Sequence, residues 1–150
     1  MAKKADVVEF LSQPALAIVG VSRGGKKIGN SIFRELKTIG YRVYAVHPSA
    51  ETLEGERCYS NLKSLPEAVG GVVVVVPPME SEKVIRDAAE AGIPRVWLQQ
   101  GAESDAAVRS AQEKGMQVVS GECILMFANS PVFLHKIHRF VNKIAGKMPA

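Results

Sequence analysis

Four short apolar runs with the composition of buried strands punctuate the chain. They are Ala15 to Val21, Tyr41 to Val46, Gly71 to Val76 and Arg95 to Leu98, with a weaker fifth at Met116 to Val119. Val72 to Val76 is an unbroken row of valines. A run of that kind predicts a strand covered on both faces, as in a parallel sheet. Between the runs the apolar period lengthens to that of a helix. Ile32, Phe33, Leu36 and Ile39 share a face, with Asn30 and Ser31 as caps and Gly40 as the stop. Val84, Ile85, Ala88 and Ala89 define a second helix that Ser81 would cap and Gly92 follow. Ala107, Val108 and Ala111 define a third, from about Ser104 to Lys114, closed by Gly115.

Strand and helix in strict turn predict an α/β fold: a Rossmann-like, doubly wound, mainly parallel five-stranded sheet flanked by helices. Pro48 to Leu62 breaks the rhythm and predicts an irregular excursion, followed by a short helix near Leu62 to Val69. Ala5 to Leu11 predicts a short leading helix. Val132 to Ile144 predicts an extra C-terminal helix, with Phe133, Ile137, Phe140, Val141 and Ile144 in one stripe. The core is expected over about residues 15–123 of a single domain spanning 1–150.

The 150 residues are 47% hydrophobic and 23% charged, which fits one folded domain and excludes a disordered chain. No apolar run is long enough to span a membrane. Two cysteines, Cys58 and Cys123, make no disulfide scaffold, and the expectation is a reduced, cytoplasmic protein. The net charge of +4 suggests nucleic acid until the charges are located. Of the 19 lysines and arginines, Lys136, Arg139, Lys143 and Lys147 lie beyond Pro131 with no acid, so the remaining 15 match the 15 acids. A neutral body without a basic, aromatic-rich stripe argues against nucleic-acid binding. The basic amphipathic helix would instead pack on the fold or serve a homo-oligomer or protein partner.

Parallel sheets hold ligands beyond the carboxyl ends of their strands. After the first strand comes Gly20-Val21-Ser22-Arg23-Gly24-Gly25-Lys26-Lys27-Ile28-Gly29-Asn30. Its glycines allow backbone amides close to a ligand, and the following helix start adds unpaired donors. Ser22 adds a hydroxyl donor and Arg23, Lys26 and Lys27 add cations, a combination suited to phosphates. The dinucleotide fingerprint is absent: position 22 is Ser, Gly29 comes too late, and the second strand ends in His47-Pro48 without a ribose-binding acid. No Walker loop occurs. Val76-Pro77-Pro78 forms a stiff wall after the third strand. Gln99-Gln100-Gly101 puts two amides after the fourth.

In this order, Ile18 to Ser22, Gly29, Val46-His47-Pro48, Leu53 to Tyr59, Val76-Pro77-Pro78 and Val96 to Gly101 resemble the CoA-binding domain family. That family includes small stand-alone proteins and the N-terminal part of the succinyl-CoA synthetase alpha subunit. The resemblance implies coenzyme A or acyl-CoA as ligand. Ser22 to Lys27 and the Gly29 helix start would meet phosphates, His47 and Pro48 would flank adenosine, Val76 to Pro78 would line the ligand's path, and Gln99 to Gly101 would close the site.

No catalytic order of residues is visible. Cys123 beside Glu122 lacks a base and is expected to be a small buried residue; His135 and His138, at i and i+3, lack a third metal ligand. The expectation is a non-catalytic CoA binder. The alternatives are an NAD(P)-binding oxidoreductase or subunit on the same sheet, and an interaction module with a vestigial site.

Overall fold

The computed structural model describes residues 3–128. The helix expected over 132–144, with His135 and His138, lies outside them.

Five strands form one sheet and every pairing in it is parallel. They are β1 (Ala15–Val19), β2 (Arg42–Val46), β5 (Gly71–Val74), β6 (Arg95–Gln99) and β7 (Gln117–Glu122), in the order β2-β1-β5-β6-β7. Two two-residue strands, β3 (Thr52–Leu53) and β4 (Glu56–Arg57), make a separate antiparallel hairpin in the Pro48 to Leu62 excursion. Helices α1 (Lys4–Leu11), α2 (Ile28–Ile39) and α5 (Ile124–Ala128) cover one face, and α3 (Pro78–Glu90) and α4 (Asp105–Glu113) the other.

Side chains alternate across each strand, so a strand buried twice needs apolar residues at every position. Leu16, Ile18, Val73 and Trp97 pack with Phe10, Phe33 and Leu36. Ala15, Ala17, Val72, Val74, Val96 and Leu98 pack with Ile85, Ala88, Ala107 and Ala111 on the opposite face. The small alanines of β1 lie on the α3–α4 side. Trp97 is fully buried, meets Phe10 edge-on at 5.4 Å between ring centres, and donates its indole N–H to the Glu122 carbonyl at 3.0 Å. Trp97→Phe deletes that bond and leaves a void, and should lower stability by about 2 kcal/mol, read by urea denaturation. An unchanged midpoint would contradict this packing.

Several boundaries differ from the sequence reading, each for a local reason. The first strand stops at Val19 because Gly20 turns away at φ 127. The third stops at Val74, leaving Val75 and Val76 half-buried beyond the sheet. The fifth is stronger than its composition suggested, reaching Glu122 through a register shift opposite Leu98 and Gln99. Asn30 and Ser31 do not cap α2; Lys27 occupies that position without a side-chain bond. Ser81 does not cap α3, which begins at Pro78. Its hydroxyl lies inside the helix and donates to the Ala102 carbonyl at 2.6 Å. Only Leu62–Ser64 is helical, as one tight turn, where a helix to Val69 was expected. Ser104 does cap α4, accepting from the Ala107 amide at 3.1 Å. Cys123 is half-buried rather than buried, whereas Cys58 is 7% exposed.

Candidate functional site

The chain runs from β1 to β2 on one side and returns to β5 on the other, so the strand order reverses between β1 and β5. The loops after those two strands must diverge there, which opens a crevice. An 840 Å³ cleft occupies that position. Its walls are the end of β1 with Gly20 to Arg23 and Lys27, the end of β2 with His47 and Pro48, Ser60 to Leu62, and Val75 to Pro77 with the first turns of α3.

Two close approaches shape the cleft. A Cβ at Gly20 would lie 2.3 Å from the Val75 carbonyl oxygen, and one at Gly29 would lie 2.4 Å from the Gly20 carbonyl oxygen. Only glycine lets the loop, α2 and the Val75 backbone pack this tightly. Asn30, wholly buried, then holds the loop's first turn. Its Oδ1 accepts from the Ser22 amide at 3.0 Å and the Ser22 hydroxyl at 2.9 Å, and its Nδ2 donates to the Ser22 carbonyl at 2.8 Å. Both Ser22 donors are therefore spent within the protein, and its hydroxyl is left as an acceptor.

What remains for a ligand is the start of α2. A helix leaves its first amides without internal partners and carries a partial positive charge there. No side chain caps this end. Lys27 at the cap position is exposed and makes no ion pair among the described residues. Arg23 reaches across to the Ser49 hydroxyl. Across the cleft, α3 also starts without a side-chain cap, but Pro78 in its first turn has no N–H to offer. That wall is apolar at Val75, Val76 and Pro77, and α3 adds the 92%-exposed Met79 beside the charged Glu80, Lys83, Arg86 and Asp87.

The cleft thus gathers Gly20, Val21, Ser22, Arg23, Lys27, His47, Pro48, Val76 and Pro77 from the residues chosen on sequence. Pro78 adjoins it as the first residue of α3. Lys26, Ile28, Gly29 and Asn30 do not line it, and neither do Gln99, Gln100 and Gly101. Gln99 is 3% exposed and engaged: its Oε1 accepts from the Ile124 amide at 3.0 Å and its Nε2 contacts Cys123 Sγ at 3.1 Å. It ties β6 to α5. Ser60, Asn61, Met79, Glu80 and Lys83 line the cleft and were missed. The first two lie in the excursion, whose lack of period hides where it folds back. The other three follow the double proline on a helix whose start the Ser81 cap misplaced.

A second hollow of 620 Å³ adjoins the cleft through shared Pro48 and Ser60, between the hairpin and the Ser49–Glu51 loop. His47 Nδ1 accepts from the amides of Ser49 and Ala50, both at 3.1 Å, and so turns the chain between the two spaces.

Three carboxylates of the fold are held ionised, Glu54 beside the loop and Glu9 and Glu67 at the amino ends of the strands. Arg34 and Asn30 beside Glu54, Arg42 beside Glu67, and Gln117 and Arg95 beside Glu9 keep all three below the usual carboxylate range. A carboxylate lowered by folding contributes stability above its unfolded-state value and loses it as pH falls through the folded one. The melting temperature should therefore fall by several degrees as pH drops from about 4.3 towards 2.5. A melting temperature that holds or rises over that window, followed by circular dichroism, would contradict these pairings.

Known proteins resemble this chain in both sequence and shape. The family described as CoA binding domain matches residues 15–129. The chain belongs to that family. It is 26% identical over 126 residues to the alpha subunit of ADP-forming acetate–CoA ligase II from Pyrococcus furiosus, covering 77% of this chain but only 28% of that subunit. It is also 26% identical over 122 residues to the Bacillus subtilis protein YneT, covering 81% of this chain and 90% of that one. A solved protein from Pyrococcus horikoshii superposes with a TM-score of 0.79 at 26% identity, covering 85% of this chain and 90% of the other.

Proposed function

We propose that this protein binds coenzyme A or an acyl-CoA in the switch-point cleft and does no chemistry on it. The observation that carries this reading is that Arg23 and Lys27, the latter at the uncapped start of α2, both line the cleft. Main-chain amides and cations together suit a pyrophosphate. The adenosine end would lie by His47 and Pro48, with the adjoining hollow as room for its ring and 3′-phosphate. The pantetheine arm would follow the apolar wall of Val75 to Pro77. Membership of the CoA binding domain family supports the ligand class.

Binding without turnover is favoured by what the lining lacks. The Ser22 hydroxyl proton is engaged by Asn30, His47 Nδ1 by two amides, and burial pushes the Cys58 thiol up, away from its reactive thiolate form. A role as carrier or sensor beside a partner that supplies the chemistry fits this reading. The free cysteines Cys58 and Cys123 fit a reducing, cytoplasmic setting.

Calorimetry with CoA, dephospho-CoA, NAD and ATP tests the reading. CoA should bind, dephospho-CoA about tenfold more weakly if a cation holds the 3′-phosphate, and NAD and ATP more weakly still. No heat with millimolar CoA would end it.

A further inference from the structure

At the tip of the β3–β4 hairpin, Glu54 reaches the loop that follows β1. The hairpin's two-residue turn, Glu54-Gly55, has positive φ at both positions, 52° and 76°. Turns of this kind take Asn, Asp or Gly at the first position because an ordinary side chain is disfavoured there. A glutamate in that place invites the question of what its side chain does.

Its carboxylate is 14% exposed and both oxygens are engaged. Oε2 accepts from Asn30 Nδ2 at 2.7 Å, and Oε1 from Arg34 Nη1 at 2.9 Å. Each partner holds a different end of the loop. Asn30 binds Ser22 through three hydrogen bonds, and Arg34 Nη1 also donates to the Gly25 carbonyl at 3.4 Å. An acceptor-only group facing Nδ2 also decides which way the Asn30 amide points. The other orientation would set its NH2 against the Ser22 amide and its oxygen against the Ser22 carbonyl, and lose both of those bonds.

We propose that Glu54 is a positioning residue for the cleft: from the hairpin tip it fixes the Ser22 end of the loop through Asn30 and the Gly25 end through Arg34. The inference rests on that loop being where the ligand's phosphates lie. An anion beside an anion site would be a liability for binding, but Arg34 faces the carboxylate and offsets it. The hairpin itself stays seated without Glu54. Leu53 is buried against the α2 face, and Glu56 pairs with Lys37. Removing the carboxylate therefore loosens the loop and leaves the fold.

The test compares wild type, Glu54→Ala, Glu54→Gln and Arg34→Met. Amide exchange at Ser22 and Gly25 is measured without ligand, CoA affinity by calorimetry, and the fold by melting. Glu54→Ala should speed exchange at Ser22 and Gly25 at least tenfold and weaken CoA about tenfold, with the fold intact. Glu54→Gln keeps one acceptor and should fall between Glu54→Ala and wild type. Arg34→Met releases only the Gly25 end, so it should speed exchange at Gly25 more than at Ser22, and it carries the test if Glu54→Ala melts early. Unchanged loop exchange and unchanged CoA affinity in folded variants would overturn the proposal. If wild type itself ignores CoA, the functional reading fails, while the exchange data still decide whether Glu54 orders the loop.

Discussion

Gly20→Ala should cost about 4 kcal/mol or more of stability and lower the melting temperature by about 12 °C. Two costs add at this position. A φ of 127 lies where an L-residue is strained, worth about 1 to 2 kcal/mol by itself. The added methyl would lie 2.3 Å from the Val75 carbonyl oxygen and 2.9 Å from Val75 Cβ. Neither is the loose end of a flexible side chain: one is backbone, and the other is fixed to it just past the sheet. Relief requires β1 and β5 to part at the place where the cleft opens. Gly40→Ala separates the two costs, because Gly40 has φ 126 but nothing within 4 Å of a new Cβ. It should lose only the strain component. Equal losses in the two variants, measured by urea denaturation, would mean that the β1–β5 approach is not as tight as described.

The second large effect is on affinity. Reversing the two cations on the loop side of the cleft, Arg23→Glu with Lys27→Glu, should weaken CoA binding about 100-fold or more at low salt. A charge-assisted hydrogen bond to phosphate is worth about 1.5–3 kcal/mol, and the new carboxylates repel the ligand. Stability should barely move, because both side chains are exposed. Lys26→Glu is the geometric control. It carries the same charge change one residue away but does not line the cleft, so its effect should stay below about threefold, from long-range field alone. If Lys26→Glu weakens CoA as much as Lys27→Glu, net charge rather than cleft geometry governs binding.

Legibility in the sequence followed burial. The valine run could only be a doubly covered strand, and Val72 to Val74 are fully buried. The glycines after β1 announced the crevice because close approach leaves no other residue type. Polar residues were harder to assign. Asn30 and Ser81 have the composition of helix caps, yet each is fully buried and bonded to a distant loop, which depends on contacts that local pattern does not carry. Gln99 looked like a ligand-facing amide at a strand's end, but the shift in register beside it leaves its amide bonded to Ile124 and Cys123. Glu54 was visible only as part of a family pattern. Its link to Asn30 spans 24 residues and arises from the hairpin folding back over α2.

Backbone amide chemical shifts during a CoA titration test the central claim most directly. Coenzyme A should move the resonances of Val21 to Asn30 and Val75 to Lys83, with a second group at His47 to Ala50, and leave α4 and the β7 edge still. Shifts confined to the edge around Gln112 and Val118, or none at millimolar ligand, would contradict the account.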